Sequence, residues 1–219
     1  MVEFIHNNIT HRFESLVNTD VLIQRMGEYK TFYELSLLNK IASLNICGTY
    51  IDGGANIGNH SIFFNHHCPS EKIYSIEIHP EIYNTLVTNI NNNSCNKCIP
   101  INIGLNDCEK NVKLSDLCNT NIGMTHIISE DGNIPVKKLD DIIPEDENVT
   151  LIKLDIEGYE KNALIGAEQI IKRCKPIIIA EMSNGELYKE FDYEIAKYGY
   201  YCDKINYGTT PTYIWYPKN

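Results

Sequence analysis

Residues 50–58 read Tyr-Ile-Asp-Gly-Gly-Ala-Asn-Ile-Gly, a short apolar run that ends in an acid and enters a glycine-rich turn. The run predicts a β-strand over Thr49–Asp52, and the turn starts at Gly53. In doubly wound α/β sheets, ligands bind beyond the carboxyl ends of the strands, where the first turn brings backbone close to the ligand. Gly54 and Gly58 lack the side chains that would block this approach. The stretch therefore predicts a ligand-binding strand-to-helix turn.

Apolar strands and amphipathic helices alternate on both sides of this turn. The run Ile177–Ile179 contains no polar residue, which is typical of a strand buried on both faces of a parallel sheet. Strands that alternate with helices imply right-handed βαβ units. Further strands are predicted over Lys72–Glu77, Ile99–Ile103, Val149–Asp155 and Pro176–Glu181, and helices over Phe32–Leu44, Pro80–Ile90, Glu160–Cys174 and Glu186–Tyr198.

The last part of the chain departs from this alternation. Tyr200–Lys204 and Thr212–Tyr216 are separated by too few residues for a helix, so they predict an antiparallel hairpin. Asn111–Leu114 and Ile134–Lys138 predict two short extra strands. We therefore expect an α/β fold that is Rossmann-like and doubly wound, with a mostly parallel seven-stranded sheet and an antiparallel C-terminal hairpin. A single domain is expected overall, with an N-terminal helical segment over residues 1–45 and the Rossmann-like part over residues 46–219.

The composition of the 219 residues is that of a globular protein with an acidic surface. Lys and Arg number 19 and Asp and Glu number 29, which gives a net charge of −10 and argues against a broad nucleic-acid surface. No apolar run reaches the length of about 20 residues that a membrane span needs, and no secretory signal is visible. We therefore expect a cytoplasmic protein whose 8 cysteines are mostly reduced. Cys95 and Cys98 form one Cys-x-x-Cys pair, but a structural zinc site needs about four ligands and no second close pair exists.

The turn after the first strand favours one cofactor over others. A dinucleotide-binding G-x-G-x-x-G motif that starts at Gly53 would need glycine at position 55, where Ala55 stands. The remaining pattern is an acid, Asp52, followed by Gly54, Asn56 and Gly58 at alternate positions. A carboxylate at the strand end suits a ligand with an ammonium and a sulfonium better than one with a pyrophosphate. The pattern favours S-adenosylmethionine, and a tight turn without a ligand is the alternative.

A second acid lies at the end of the second strand. Glu77 follows the turn by about 20 residues, the spacing at which an acid hydrogen-bonds the ribose of a bound nucleoside. The alternative is an acid exposed to solvent at a strand end. Together with Asp52, the spacing favours the ribose role.

A third cluster follows the fourth strand, at residues 151–160. Asp155 and Glu157 are expected to project towards the crevice, with Lys153 between apolar neighbours as a possible structural counter-ion. Glu160 could equally serve only the first turn of the following helix, where an acid is favourable. Three carboxylates close together repel one another unless a proton or a cation offsets the charge. Such a cluster is a candidate site.

These clusters, in their order and spacing, resemble the FkbM family of S-adenosylmethionine-dependent methyltransferases over roughly residues 32–181. The most specific motif is Lys153-Leu154-Asp155-Ile156-Glu157-Gly158-Tyr159-Glu160, followed by the Ala55-Asn56-Ile57-Gly58 turn. One departure is Ile78, since the family often has proline directly after the acid of strand two. Further matching segments are Tyr33-Glu34, Tyr50–Gly54, Glu77–Pro80, Leu139-Asp140-Asp141, Leu164, Gly166-Ala167 and Pro176–Glu181.

The resemblance implies a class I methyltransferase that methylates oxygen, frequently a sugar hydroxyl or a related alcohol. It implies that Asp52, Gly54, Asn56 and Gly58 hold the methionine part of the cofactor, that Glu77 holds the ribose and that Asn106 and Asp107 lie near the adenine. Asp155, Glu157 and Glu181 would face a small-molecule or glycan acceptor. The full set of expected cofactor contacts is Glu34, Asp52, Gly53, Gly54, Asn56, Gly58, Glu77, Ile78, Asn106, Asp107 and Asp155.

Methyl transfer to an alcohol requires the loss of a proton, so a base or a divalent cation is useful. Asp155 is the first candidate, as base or as metal ligand, with Glu181 or Glu157 assisting; a cation would be held by Asp155 and Glu181. His79 is a second candidate base, with a surface position as its alternative. Two other functions remain open: a nicotinamide enzyme, which Ala55 disfavours, and a non-catalytic cofactor-binding scaffold. Residues expected to carry no site chemistry are His66, His67 and His126, on the surface, and the polar segment Ser115–Asp131, which is expected to be mobile.

Overall fold

The computed structural model describes residues 1–218. Helices and strands alternate along most of the chain, as the apolar pattern predicts, and the fold is α/β. In chain order the elements are β1 (Val2–His6), β2 (Ile9–Phe13), α1 (Val21–Tyr29), α2 (Leu35–Ser43), β3 (Gly48–Gly53), α3 (Asn59–His67), β4 (Ser70–Glu77), α4 (Pro80–Asn92), β5 (Cys98–Asn102), β6 (Gly104–Leu105), β7 (Lys110–Leu114), β8 (Ile127–Lys137), α5 (Leu139–Ile142), β9 (Val149–Leu154), α6 (Glu160–Ile165), α7 (Glu168–Cys174), β10 (Ile177–Glu181), α8 (Gly185–Ala196), β11 (Tyr200–Cys202) and β12 (Thr212–Pro217).

A seven-stranded sheet forms the centre of the molecule, in the order β11-β12-β10-β9-β3-β4-β5. Strands β10, β9, β3, β4 and β5 pair in parallel, while β12 runs antiparallel to both β10 and β11. The predicted doubly wound sheet with an antiparallel C-terminal hairpin is therefore confirmed. The chain leaves β3 towards β4 on one side and returns through β9 on the other, so a crevice opens at the carboxyl end of β3.

Apolar side chains cover both faces of this sheet. Helices α2, α3 and α4 pack on one face with the N-terminal residues, and α6, α7 and α8 pack on the other. The predicted strand-to-helix turn leads into α3, but the apolar pattern gave no bounds for this helix, because it is buried on nearly all sides and lacks an amphipathic period. The predicted helix over Glu160–Cys174 is two helices, divided at Gly166, where a Cβ would lie 2.2 Å from the carbonyl oxygen of Asn106.

The N-terminal segment, expected to be helical, begins with the β1–β2 hairpin. Two asparagines at the C-terminal end of α4, Asn89 within the helix and Asn93 directly after it, hold the end of β2 by its backbone. Asn93 accepts from the Arg12 N–H (2.9 Å) and donates to the Arg12 carbonyl (2.6 Å), and Asn89 does the same with Glu14 (2.8 and 2.9 Å). Alternate strand residues and helix positions four apart both repeat at about 6 Å, so the two pairs match in register. Asn89 also donates to the carbonyl of Ile57, in the glycine-rich turn (2.8 Å).

Histidines and aromatic rings fill the space beneath this hairpin. The Nε2 atoms of His11 and His67 lie 3.2 Å apart, and both rings pack against Phe32. Burial and neighbouring histidines lower the pKa of His11 to about 3 and that of His67 to about 4. His66 and His67 are thus half-buried packing residues rather than the surface residues expected.

A second, three-stranded sheet in the order β6-β8-β7 stands beside the crevice. The strand predicted over Ile134–Lys138 is the end of the longer β8, which starts at Ile127. The segment expected to be mobile is anchored in its middle, because Ile122 is fully buried and its N–H donates to Asp20 (3.3 Å). An isolated isoleucine in a polar stretch gives too weak a pattern to predict this anchor. No helix in residues 1–218 is long and apolar enough to cross a membrane.

Candidate active site

A cavity of about 320 Å³ occupies the crevice at the carboxyl end of β3. Its walls come from the turn after β3, the ends of β4, β9 and β10, helix α1 and the segment 121–127. Five carboxylates that the sequence indicated line it together with the buried amine of Lys153: Glu34, Glu77, Asp155, Glu157 and Glu181. This cavity brings together most of the candidate residues.

The turn after β3 is held close to β9 by its glycines. Gly54 has φ +74°, and a Cβ there would lie 1.8 Å from the carbonyl oxygen of Asp155. The N–H groups of Gly54 and Ala55 both donate to the Ile76 carbonyl (3.0 and 2.9 Å), which ties the turn to β4. Gly58 has φ +96° and supports the start of α3. Only glycine fits at position 54, because both the backbone conformation and the space exclude a side chain.

Asn56 presents an unpaired acceptor to the cavity. Its Oδ1 atom is buried without a hydrogen-bond partner among the described residues, and its backbone has φ +50°. A buried polar atom is normally hydrogen-bonded, so the position is suited to a donor from a bound ligand. The turn therefore fits a ligand that carries an ammonium or hydroxyl group.

Glu77 lies next to this turn with both oxygens held by backbone. Its Oε2 accepts from the Asn56 N–H (2.9 Å) and its Oε1 from the His79 N–H (2.8 Å). Burial raises the pKa of Glu77 to about 7, although both N–H donors counter this. Each oxygen keeps a further lone pair that can accept from a ligand hydroxyl. Apolar groups continue the wall beyond Glu77, at Ile78, Ile103, Gly104 and Leu105, and leave a slot suited to a flat base.

Asp52 lies behind the cavity wall rather than on it. Its Oδ2 accepts from the Ser61 hydroxyl (2.6 Å), and its Oδ1 lies 3.2 Å from the Lys153 Nζ. Lys153 also pairs with Asp155 (3.5 Å) and donates to the Gly54 carbonyl (3.0 Å). Burial disfavours the charge of Lys153, but the carboxylates of Asp52 and Asp155 outweigh it and raise the pKa. Lys153 is the counter-ion that the sequence allowed. Asp52 does not line the cavity and influences it only through its ion pair with Lys153.

Three carboxylates form the wall opposite the turn: Asp155, Glu157 and Glu181. One oxygen of each lies within 4.8 Å of the others, and this is the one cluster among residues 1–218 with the spacing to hold a metal ion. Burial works against ionisation of Asp155, but Lys153 and a hydrogen bond with Glu181 lower its pKa overall. Burial and the Asp155 charge raise the pKa of Glu181, so a proton rests on Glu181 and is shared with Asp155.

Glu157 differs from the other two members of this trio. Burial, Asp155 and Glu160 raise its pKa to about 7. Its φ of +53° is held by Glu160, whose Oε1 accepts from the N–H groups of Ile156 (2.9 Å) and Gly158 (3.3 Å) on either side. Glu160 is thus structural, as its helix position allowed, and it fixes the direction of the Glu157 backbone.

The sequence indicated Glu34 only by resemblance and did not indicate His60. Glu34 is buried at the cavity with φ +55°, where its Oε1 accepts from the Thr209 N–H (2.9 Å) and its Oε2 lies 3.6 Å from His60 Nε2. The Asn59 amide holds the Tyr33 backbone by two bonds of 3.0 Å, which fixes Glu34 in place. Burial lowers the pKa of His60 to about 4, so its ring is neutral. Its position in the first turn of α3, directly after the glycine-rich turn, is the signal that could have indicated it.

Several predicted site residues do not line the cavity. His79 accepts from the Glu81 N–H (3.3 Å) as the cap of α4. Asn106 is buried beneath the wall, with Oδ1 bound to the Asp107 N–H (2.8 Å). Asn106 directly follows β6 of the small sheet, where its N–H donates to the Lys137 carbonyl (2.9 Å), and neither Asn106 nor Asp107 lines the cavity. Residues placed outside the cavity wall are Asp52, Gly53, Gly58, His79, Asn106 and Asp107, and exposed His126 stands at its rim.

The chain is similar to known methyltransferases in sequence and in fold. The family model described as "Methyltransferase FkbM domain" matches residues 52–202. The crystal structure of methyltransferase FkbM from Methylobacillus flagellatus is similar with a TM-score of 0.52 and 20% identity; the match covers 78% of this chain and 43% of that one. This chain therefore spans less than half the length of that protein.

Two further solved structures share the fold. A precorrin-6y C5,15-methyltransferase from Geobacter metallireducens is similar with a TM-score of 0.53 and 12% identity, over 95% of this chain and 93% of the other. A putative transferase from Pyrococcus horikoshii gives 0.50 and 15%, over 98% and 69%. No curated protein sequence matches the chain. At these identities the structural similarity shows a shared fold, that of class I methyltransferases.

Proposed function

The chain belongs to the FkbM family of methyltransferases, and from this premise we propose that it methylates a hydroxyl oxygen of a sugar or a related small alcohol. Dependence on S-adenosylmethionine follows from the family and the fold. The observation that carries the proposal is the carboxylate trio opposite the glycine-rich turn, in which one member has a pKa of about 7. A base with that pKa suits the removal of a hydroxyl proton at neutral pH.

The chain's own groups fit this cofactor. Asn56 offers an unpaired buried oxygen and Glu77 two partly used ones, both suited to ligand donors. Gly54 opens the approach to the turn, and Ile78 borders the slot for a flat base. Bound there, S-adenosylmethionine supplies a methyl group activated by a sulfonium. The excess of carboxylates around the cavity suits a cationic ligand.

Glu157 is our candidate for the base that accepts the acceptor's hydroxyl proton. Asp155 is less suited than the sequence suggested, because its pair with Lys153 and its bond with Glu181 lower its pKa and occupy its oxygens. Asp155 and Glu181, which share one proton, instead keep further oxygen lone pairs that can accept from the acceptor's hydroxyl groups and orient them. This division matches the general rule that neighbouring carboxylates with separated pKa values take different roles.

A divalent cation is the second way in which the trio could act. Hard cations such as Mg²⁺ prefer carboxylate oxygens, and Asp155, Glu157 and Glu181 could supply three. A cation would lower the pKa values of all three acids and would replace the shared proton as the charge that offsets their repulsion. Activity that is lost with a chelator and restored by Mg²⁺ would favour this form of the proposal over Glu157 acting as base.

The proposal is tested first by binding and then by turnover. Titration calorimetry should show S-adenosylhomocysteine bound and NAD not bound by the purified protein. Labelled S-adenosylmethionine should then transfer its methyl group to at least one member of a panel of sugars and alcohols, with Glu157→Gln as the impaired variant. Binding of NAD instead of S-adenosylhomocysteine would favour a nicotinamide enzyme. Cofactor binding without transfer to any acceptor would favour a non-catalytic scaffold.

A further inference from the structure

A second cavity, of about 450 Å³, lies between α8 and the C-terminal strands. Tyr188 and Tyr213 form one side of it, with ring centroids 4.9 Å apart. Lys189 and Lys204 stand on its border. None of the residues assigned to the active site lines this cavity.

The charge of this cavity is opposite to that of the protein. The chain has a net charge of −10, yet no aspartate or glutamate lines this cavity. Neither Lys189 nor Lys204 has a carboxylate within ion-pair distance in residues 1–218. Unpaired lysines next to aromatic rings favour an anionic ligand that also has a flat or ring-shaped part.

Several nearby acids are engaged elsewhere, and exposed Glu186, in the first turn of α8, neither lines the cavity nor forms an ion pair with either lysine in residues 1–218. Asp192 accepts from the Trp215 indole (2.9 Å), and Asp203 accepts from the Tyr207 hydroxyl (2.7 Å). Glu190 pairs with Lys161 (2.8 Å). The first N–H groups of α8 are already capped by Asn184, so the lysines are the main donors to the cavity.

One thin wall separates this cavity from the carboxylate trio. Residues 181–184 alternate between the two cavities. Glu181 and Ser183 line the first cavity, and Met182 and Asn184 line the second. The Met182 N–H donates to the Pro211 carbonyl (2.7 Å) and joins the two segments of the wall. Ser183 is exposed at the top, so an extended ligand can pass over the wall from one cavity to the other.

We propose that the second cavity is an anion subsite for the methyl acceptor. It binds the phosphate or carboxylate of an anionic sugar, with the ring against Tyr188 and Tyr213, while a hydroxyl of the same acceptor reaches the carboxylate trio over Ser183. The specificity part of this inference rests on the proposed O-methylation. The binding part does not, because the lysines and the cavity exist without turnover.

The test compares two double variants that remove the same charge. Lys189→Gln with Lys204→Gln removes the subsite lysines, and Lys172→Gln with Lys197→Gln removes two lysines in exposed helix ion pairs elsewhere. Calorimetry with the S-adenosylhomocysteine-saturated protein uses glucose 1-phosphate, glucuronate and neutral glucose as probes. We expect at least one anionic sugar to bind wild type about tenfold tighter than glucose and to lose about tenfold in the first variant, with little change in the second. Whichever anion binds more tightly identifies the phosphate or the carboxylate.

Three binding results would overturn the subsite: no sugar bound by wild type, glucose bound as tightly as both anions, or anion binding unchanged by the subsite variant. Lys189→Arg with Lys204→Arg should restore binding, which separates loss of charge from damage to the fold. Lysine-dependent anion binding without methyl transfer would keep the subsite and refute O-methylation. Methyl transfer to an anionic sugar with an unchanged KM in the subsite variant would keep O-methylation and refute the subsite.

Discussion

The two sides of the active-site cavity are built on different principles. On the side of the turn, backbone sets the geometry: Gly54 has φ +74° and a carbonyl oxygen 1.8 Å from where its Cβ would lie. On the side of Asp155, Glu157 and Glu181, side-chain burial and proton sharing set the chemistry. Glycine constraints are visible in a sequence, whereas the protonation of a carboxylate depends on neighbours that only the folded chain supplies.

Lys153 connects the two sides, and its removal should have the largest effect. Lys153→Met would leave Asp52 and Asp155 buried without their cation, which should lower the free energy of unfolding by about 3–5 kcal/mol. Urea denaturation at neutral pH measures this loss. Lys161→Met, which breaks an exposed ion pair, should cost less than about 1 kcal/mol. Equal losses in the two variants would show that Lys153 does not join the two sides.

The turn itself is the next region to test. Gly54→Ala should lower the free energy of unfolding by about 2–4 kcal/mol, because a Cβ there meets the Asp155 carbonyl and the backbone is left-handed. Binding of S-adenosylhomocysteine should fall with it. Gly185→Ala is the matched control, since a Cβ there has no neighbour within 4 Å. A Gly54→Ala variant of wild-type stability and affinity would contradict the view that backbone sets this side.

A change in the carboxylate trio should alter the pH dependence of activity rather than the free energy of unfolding. Burial, Asp155 and Glu160 raise the pKa of Glu157 to about 7, and the base is active only when ionised. Below that pH, kcat/KM should therefore rise about tenfold per pH unit, and it should level off above it. Glu157→Gln should lower kcat by about a hundredfold and abolish this limb. Carbon NMR of labelled glutamate offers a readout without substrate; a Glu157 pKa near 4.5 would remove it from the role.

The smallest effect is expected at His79, outside both sides. His79→Ala should change kcat less than about twofold and lower the free energy of unfolding by about 1 kcal/mol or less, because the ring only caps α4. Steady-state kinetics and urea denaturation measure the two quantities. A loss of kcat comparable to that of Glu157→Gln would instead make His79 a base, as the sequence allowed.

The sequence predicted the sheet because its strands are short runs rich in apolar residues, of which Ile177–Ile179 is the clearest. It gave no bounds for α3, whose buried polar residues such as Ser61 contact groups elsewhere in the chain and interrupt the apolar period. It also did not predict the β1–β2 hairpin, although this is a local pairing: Asn7 and Asn8, both with positive φ, form the two-residue turn between its strands.

The site residues also divide into those that the sequence pattern indicated and those that it did not. Gly54, Asn56, Glu77 and the three carboxylates were indicated because they follow strand ends in sequence. Asp52 was placed correctly on β3, but a strand-end acid can face either the ligand or the interior, and Lys153 draws it inside. The place of His60 at the cavity depends on its contact with Glu34, 26 residues earlier. The sequence around either residue alone could not predict that contact.

The hold of Asn89 and Asn93 on Arg12 and Glu14 has a consequence for evolution. In residues 12 and 14, the two asparagines hydrogen-bond only to main-chain atoms. The side chains at these two positions can therefore change while the hairpin keeps its contacts with the helix. Selection at this junction should act on the side-chain amides of Asn89 and Asn93. It should be strongest at Asn89, whose second amide proton also bonds the carbonyl of Ile57. Relatives that have lost the hairpin are therefore expected to retain a polar residue at position 89 more often than at position 93.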